Sequence, residues 1–180
     1  MEIIGNPNEF AIQYEITHAY ENECFGSFVF YLGGEQIGRG DYEVWINACI
    51  NWFKDFNKHK DARTYPNSHL LSKEELFYEL YEKFYDGTSV ESGDYLKIGT
   101  VTEVFHLDDT GDASFRDFVN VILLDEPQIN RQRFIWRYYE NEEVKKEFFI
   151  QMNMYETVSK QFCEQASFKW NNMLHSPNIR

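Results

Sequence analysis

Cysteine, proline and basic residues are all scarce in this chain of 180 residues, which has three Cys, four Pro and 17 Lys or Arg. Cys24, Cys49 and Cys163 lie far apart among apolar neighbours. This spacing excludes a disulfide framework and a CxxC metal or redox site, and it favours buried free thiols. No apolar run approaches the roughly 18 residues of a membrane span, and the N-terminus lacks the basic and apolar stretches of a signal peptide. We therefore expect a cytoplasmic protein.

The shortage of basic residues leaves a formal net charge of −13, from 17 Lys and Arg against 30 Asp and Glu. The imbalance is uneven, because residues 1–130 hold 24 acidic and nine basic residues whereas residues 131–180 hold six and eight. DNA or RNA binding requires a basic surface, so these ligands are disfavoured. An acidic surface instead favours a basic protein partner and accelerates its capture. The alternative is an acidic surface that only keeps the protein in solution.

Aromatic side chains are abundant, with 16 Phe, 12 Tyr and four Trp. Together with a hydrophobic fraction of 43%, they exclude a disordered or low-complexity chain. The length is that of one domain, and no linker divides it. We therefore expect a single domain over residues 1–180, with residues 175–180 frayed.

Two hydrophobic periods alternate along the chain. A period of two predicts strands at residues 10–20 and 25–32, followed by a Gly33-Gly34 turn into a return strand at 35–38. The same pattern predicts later strands at 95–106, 115–124, 133–139 and 145–151, with residues 108–112 as the turn between the first two of these.

A period of three to four residues predicts three helices: one over residues 44–56 capped by Asp41, one from Ser72 to Asp86, and one over 155–173. The second opens with a capping box, Ser72 to Glu75. The predicted fold is therefore α+β, an antiparallel sheet of six or seven strands covered on one face by about three helices. The residues expected in its core are Trp45, Trp52, Phe53, Leu76, Leu80, Phe84, Phe134, Trp136, Phe162 and Trp170.

No pattern of catalytic residues emerges. The five histidines never occur at a zinc-site spacing, and neither a P-loop nor a GxSxG elbow is present. Asp109-Thr110-Gly111 spells the aspartic-protease tripeptide but occurs once, among turn-forming residues, and the EF-hand pattern fails. The basic cluster of Arg131, Arg133, Arg137, Lys145 and Lys146 alternates with glutamates, which predicts a solvated, self-paired hairpin face. We expect no catalytic residues, no cofactor and no metal.

Two N-terminal segments carry a family resemblance. GNPNEFAIQYE at residues 5–15 and GSFVFYLGGEQIG at 26–38, followed by a Trp-bearing helix, resemble the bacterial immunity proteins of polymorphic toxin systems, in particular immunity protein 42. The resemblance implies a small cytoplasmic protein, encoded beside a toxin, that binds the toxin and neutralises it without catalysis. Charge alone suggests a toxin with a basic active-site cleft, such as a nuclease. Two alternative hypotheses stay open: a small-molecule-binding or enzymatic α+β domain whose site is assembled from distant residues, and a structural subunit of a larger assembly.

Acidic residues concentrate in two segments that the fold could bring together. Three- and four-residue steps place four of them on the polar face of the second helix, and four more crowd the hairpin that follows it. We therefore predict a toxin-binding surface, with an ordinary solvated helix face as the alternative. Its residues are Glu75, Glu79, Glu82, Asp86, Asp108, Asp109, Asp112 and Asp117.

Overall fold

The computed structural model describes residues 1–85, 101–108 and 113–175, and it begins with a five-stranded antiparallel sheet, sheet A. Four strands follow the order β1-β2-β3-β4, and a short fifth strand pairs with the other end of β3. The predicted strands β2, β3 and β4 are confirmed. The five are β1 (Glu2–Gly5), β2 (Phe10–Tyr20), β3 (Glu23–Leu32), β4 (Glu35–Ile37) and β5 (Val44–Trp45).

The Gly33-Gly34 turn is also confirmed, and it has a second role. Both glycines have positive φ, 58° and 87°, as a tight hairpin between the paired residues Leu32 and Glu35 requires. The ring of Phe148 lies only 2.6 Å from where a Cβ of Gly33 would be. A glycine here thus allows a later part of the chain to pack directly on the turn.

Phe148 belongs to a separate three-stranded antiparallel sheet, sheet B, with the order β6-β7-β8. Its strands are β6 (Val119–Glu126), β7 (Arg131–Tyr138) and β8 (Lys146–Gln151). The expectation of one sheet of six or seven strands was therefore wrong, although the antiparallel α+β class is correct. Periodicity identifies a strand by its alternating environment but carries no information on which strand it pairs with.

Helices cover more than one face. α1 (Ile46–Lys58) and α6 (Met154–Leu174) pack on sheet A and on each other. α2 (Lys73–Phe77) continues through a π-helical turn (Tyr78–Glu82) into α3 (Lys83–Tyr85) and contacts β7, whereas α4 (Val101–Phe105) contacts β6. α5 (Ala113–Arg116) precedes β6 and contacts both β6 and β3.

These layers enclose two apolar clusters. The larger one joins the inner face of sheet A, one face of sheet B, α1 and α6, and includes Phe28, Phe53, Phe134 and Phe162. The smaller one lies on the opposite face of sheet B, where α2, the π-helical turn and α4 meet Ile122, Leu124 and Ile135. Strands β6 and β7 are therefore buried on both faces over most of their length, which explains why β6 is almost continuously buried and is apolar at four successive residues, Val121 to Leu124.

Four local predictions were wrong or only partly right. Residues 101–105 and 115–116 of the predicted strands are helical, within α4 and α5, and residues 95–100 and 109–112 lie outside the described part. Asp41 does not cap α1, because β5 intervenes and Asp41 instead binds Arg39 through two hydrogen bonds. Of the expected core residues, Trp45 is 52% exposed, and Trp52 and Trp170 are half-buried. The side chain of Phe84 lies outside the description, and the others are buried.

Candidate functional site

The first residue of the predicted acidic surface, Glu75, is exposed, but it forms hydrogen bonds with Ser72. Ser72 Oγ accepts a hydrogen bond from the Glu75 backbone N–H at 3.2 Å, and the Glu75 carboxylate accepts one from the Ser72 N–H at 2.8 Å. This capping box confirms the predicted start of α2. The hydrogen bonds from Ser72 hold the pKa of the Glu75 carboxyl below its usual range. Glu75 therefore stays negatively charged while it stabilises the helix.

Glu79 and Glu82 follow on the same helical segment, and both are neutralised locally. Glu79 forms an i,i+4 ion pair with Lys83 at 3.1 Å. Glu82 receives two cations, with Arg137 Nη1 at 2.8 Å and Lys145 Nζ at 3.0 Å. The helix face consequently presents less negative charge than its sequence implies.

Asp108 is buried, so the structure contradicts its place on a contact surface. Only 3% of the residue is exposed, and its Oδ2 accepts hydrogen bonds from the Tyr81 hydroxyl at 2.8 Å and the Asn120 amide at 3.0 Å. Burial raises the pKa of the Asp108 carboxyl above its usual range. Asn120 in turn accepts from Arg137 Nε at 3.0 Å, which links this buried network to the Glu82 ion pairs.

The remaining acidic residue within the described part, Asp117, is exposed and lines a groove. The groove has a volume of about 520 Å³ and runs between the turn after β4 and the end of β7, where Phe118, Tyr138 and Tyr139 contribute aromatic surface. Asp86, Asp109 and Asp112 lie outside the described residues. The fold thus brings Glu75, Glu79 and Glu82 onto one helical segment and places Asp117 in the groove.

Four residues of the basic cluster form ion pairs, but not in the predicted way. Arg133 is only 4% exposed and binds the fully buried Glu126 at 3.2 Å as well as Glu147 at 2.5 Å. Lys146 binds Glu35 of β4 at 2.8 Å. Glu147 is thus a partner within the hairpin, whereas Arg137, Lys145 and Lys146 reach acidic residues on distant segments. The expected solvated face was wrong because a second helical layer covers this side of sheet B.

The described residues contain no metal-binding cluster, and their cysteine thiols are buried. None of them forms a group of three or more His, Cys, Asp or Glu side chains that could hold a metal ion. All three cysteines are free and buried, and burial raises the pKa of the Cys24 and Cys163 thiols to about 11. Such thiols are protonated at neutral pH and therefore poor nucleophiles. His106 is buried and stacks on Tyr81, with its Nε2 donating to the Leu80 carbonyl at 2.6 Å.

An exposed aromatic row was missed at the sequence level. His18 of β2, Phe25 of β3 and Trp45 of β5 are cross-strand neighbours on the outer face of sheet A. The alternation of apolar side chains along β3 could have revealed this row. The even-numbered residues from Cys24 to Leu32 are buried, so Phe25 lies on the opposite face of the strand. Trp45 was assigned to the helical stripe instead, because its spacing to Ala48 and Cys49 fits a helix.

Two comparisons with known proteins match most of the chain. The sequence profile of the immunity protein 42 family matches residues 1–165. A search of curated protein sequences finds no match. The fold is similar to that in a crystal structure of CdiI from Burkholderia dolosa AUO158, with a TM-score of 0.70 over 91% of this chain and 99% of that one, at 14% identity. No helix in the described ranges is long and apolar enough to cross a membrane.

Proposed function

The chain belongs to the immunity protein 42 family of toxin-neutralising proteins, and we propose that it neutralises its toxin by binding it directly through acidic surface. The single observation that carries this conclusion is the family match over residues 1–165. A binding mechanism without catalysis is supported by the buried, protonated thiols. We also propose that binding takes place in the cytoplasm.

The acidic surface supplies long-range attraction in this proposal. A net charge of −13 favours a basic toxin, such as a nuclease with a cationic cleft, and raises the rate of encounter. The contributing residues within the described part are Glu75 and Asp117, with the charges of Glu79 and Glu82 offset by the cations that pair with them. Asp108 is buried and therefore does not belong to this surface. Asp86, Asp109 and Asp112 complete the proposed set.

A charge-neutralising variant tests the surface without breaking the helix. We would combine Glu75→Gln, which retains the capping geometry, with Glu79→Gln and Asp117→Asn. The control carries the same change in net charge through Asp55→Asn, Asp61→Asn and Glu164→Gln, three exposed positions outside α2 and the groove. The probe is the toxic C-terminal domain encoded by the neighbouring gene, with association rates measured by surface plasmon resonance.

The proposal predicts that the first variant associates about tenfold more slowly at low salt, with the difference shrinking at high salt, while the control stays within about twofold of the parent. If both variants associate with the toxin at equal rates, this surface does not steer the toxin. If the parent protein neither binds the domain nor protects cells that express it, direct neutralisation of that toxin is wrong.

A further inference from the structure

The outer face of sheet A carries an aromatic row near the turn of the β2–β3 hairpin. The His18 and Phe25 rings stack with centroids 4.8 Å apart, and Phe25 meets Trp45 edge-on at 6.1 Å. Trp45 is 52% exposed and Tyr20, beside the turn, is 66% exposed. Three strands therefore hold large aromatic side chains in place while leaving much of their surface in water.

An irregularity in the backbone beneath this row sets the direction of its side chains. The pairing of β2 and β3 shifts register between Ile16 and His18, which is a β-bulge. Gly26 lies opposite the bulge, where an added Cβ would meet the Glu15 carbonyl oxygen at 1.7 Å. The close approach thus requires glycine, and the bulge twists the end of the hairpin and redirects its side chains.

The charged residues described around the row are glutamates. Residues 1–38 contain six glutamates and no Lys or Arg. Glu21 and Glu23 are exposed at the hairpin turn, and within the described ranges neither forms an ion pair with a Lys or Arg. Glu43, next to β5, lies 3.7 Å from the His18 ring with both side chains more than half exposed. These carboxylates differ from Glu79 and Glu82, which cations already neutralise.

We propose that this hairpin patch is the surface that holds the toxin in the bound complex, and that the toxin face it fits carries Arg or Lys side chains. The hairpin patch is defined by His18, Tyr20, Glu23, Phe25, Glu43 and Trp45. Exposed aromatic rings bordered by carboxylates suit a guanidinium or ammonium group, because the ring face and the carboxylate both attract the cation. The proposal rests on the toxin-neutralising function above and adds the contact surface to it.

Charged and aromatic residues are expected to affect different steps of binding, because charges act over longer distances than aromatic contacts. Charges act before contact and set the association rate, whereas desolvated aromatic anchors set the dissociation rate. Because the row is held by three hydrogen-bonded strands, little side-chain ordering is required when the toxin binds. Trp45 and Tyr20 are therefore expected to dominate the lifetime of the complex.

Three single variants of the full chain test the patch: Trp45→Ala, Tyr20→Ser and Glu23→Lys. The matched control is Phe168→Ala, which truncates an aromatic residue of α6 that is 67% exposed. The probe is the neighbouring gene's toxin domain, and dissociation rate, equilibrium dissociation constant and melting temperature are measured for each variant. Size-exclusion chromatography of the parent and Trp45→Ala proteins, without toxin, completes the set.

We expect Trp45→Ala to raise the dissociation constant about 30-fold, mainly through faster dissociation, and Phe168→Ala to change it less than about twofold. Tyr20→Ser and Glu23→Lys should weaken binding while leaving the melting temperature close to that of the parent. Parent-like binding by Tyr20→Ser and Glu23→Lys would overturn the proposal while leaving the neutralising function intact. It would also be overturned if the parent were a dimer that Trp45→Ala converts to monomer, since the patch would then join two copies. Absence of binding by the parent protein would instead contradict the neutralising function itself.

Discussion

Removing Arg133 should destabilise the protein more than any surface substitution, because this cation lies between two layers. Its Nη1 donates to the Glu126 carboxylate at 3.2 Å and to the backbone carbonyls of Ser68 and Leu71 at 3.2 and 3.1 Å. Nε and Nη2 donate to Glu147 at 2.9 and 2.5 Å. Arg133 therefore fixes the segment just before the α2 capping box onto sheet B, and with it the helix that carries Glu75 and Glu79.

The expected magnitude follows from the burial of the partner. In Arg133→Ala the carboxylate of Glu126, which is fully buried, loses its cation, and breaking a buried pair in this way costs about 3–5 kcal/mol. For a chain of this length each kcal/mol lowers the melting temperature by about 2–4 °C, so a fall of about 6–20 °C is expected. Glu147→Ala is the matched control, because Glu147 is partly exposed and Arg133 keeps its other acceptors; it should cost about 1 kcal/mol.

The free energy of unfolding would be measured by urea titration followed by tryptophan fluorescence. A double variant, Arg133→Met with Glu126→Leu, removes both charges and should recover most of the stability lost in Arg133→Ala, because no buried charge is left unpaired. If Arg133→Ala unfolds within about 0.5 kcal/mol of the parent, a range typical of surface substitutions, the buried pair does not join the layers as described.

Two further predictions concern the core and the buried carboxyl. Phe162→Ala should lower the free energy of unfolding by about 3–5 kcal/mol, because the Phe162 ring centroid lies 5.1 Å from that of Tyr14 and 5.3 Å from those of Phe28 and Phe53. Phe168→Ala on the same helix should change it by less than about 0.5 kcal/mol, and equal denaturation midpoints for the two variants would contradict this packing. Burial raises the pKa of Asp108 in the folded protein above its unfolded value of about 3.9. Between these two pKa values the folded state binds more protons than the unfolded state. The free energy of unfolding therefore falls as pH rises from about 4 through the folded pKa. Asp108→Asn should flatten that part of the curve of unfolding free energy against pH, and parallel curves for parent and variant would argue against the assignment.

Local patterns were sufficient where each element depends on its own residues. The alternation in β2 and β3, the Gly33-Gly34 turn, the Ser72–Glu75 capping box and the apolar stripe of α6 were all confirmed, since each arises from backbone geometry and near neighbours. The same reasoning failed at residues 101–105 and 115–116, where α4 and α5 replace the predicted strands. These helices are only five and four residues long, too short for a helical period to separate from a strand pattern.

The sequence by itself determined the α+β class, the acidic balance and the resemblance that the family match confirmed. Only the tertiary structure decided that sheet B is separate and that its strands β6 and β7 are buried on both faces, which makes Arg133 a buried cation rather than the predicted surface one. In the tertiary structure Asp108 is also buried and Trp45 is exposed. The charge of Glu82 is offset there by Arg137 and Lys145. The physical reason is that periodicity reports which side chains share a face, whereas charge pairing and exposure depend on which distant segment covers that face.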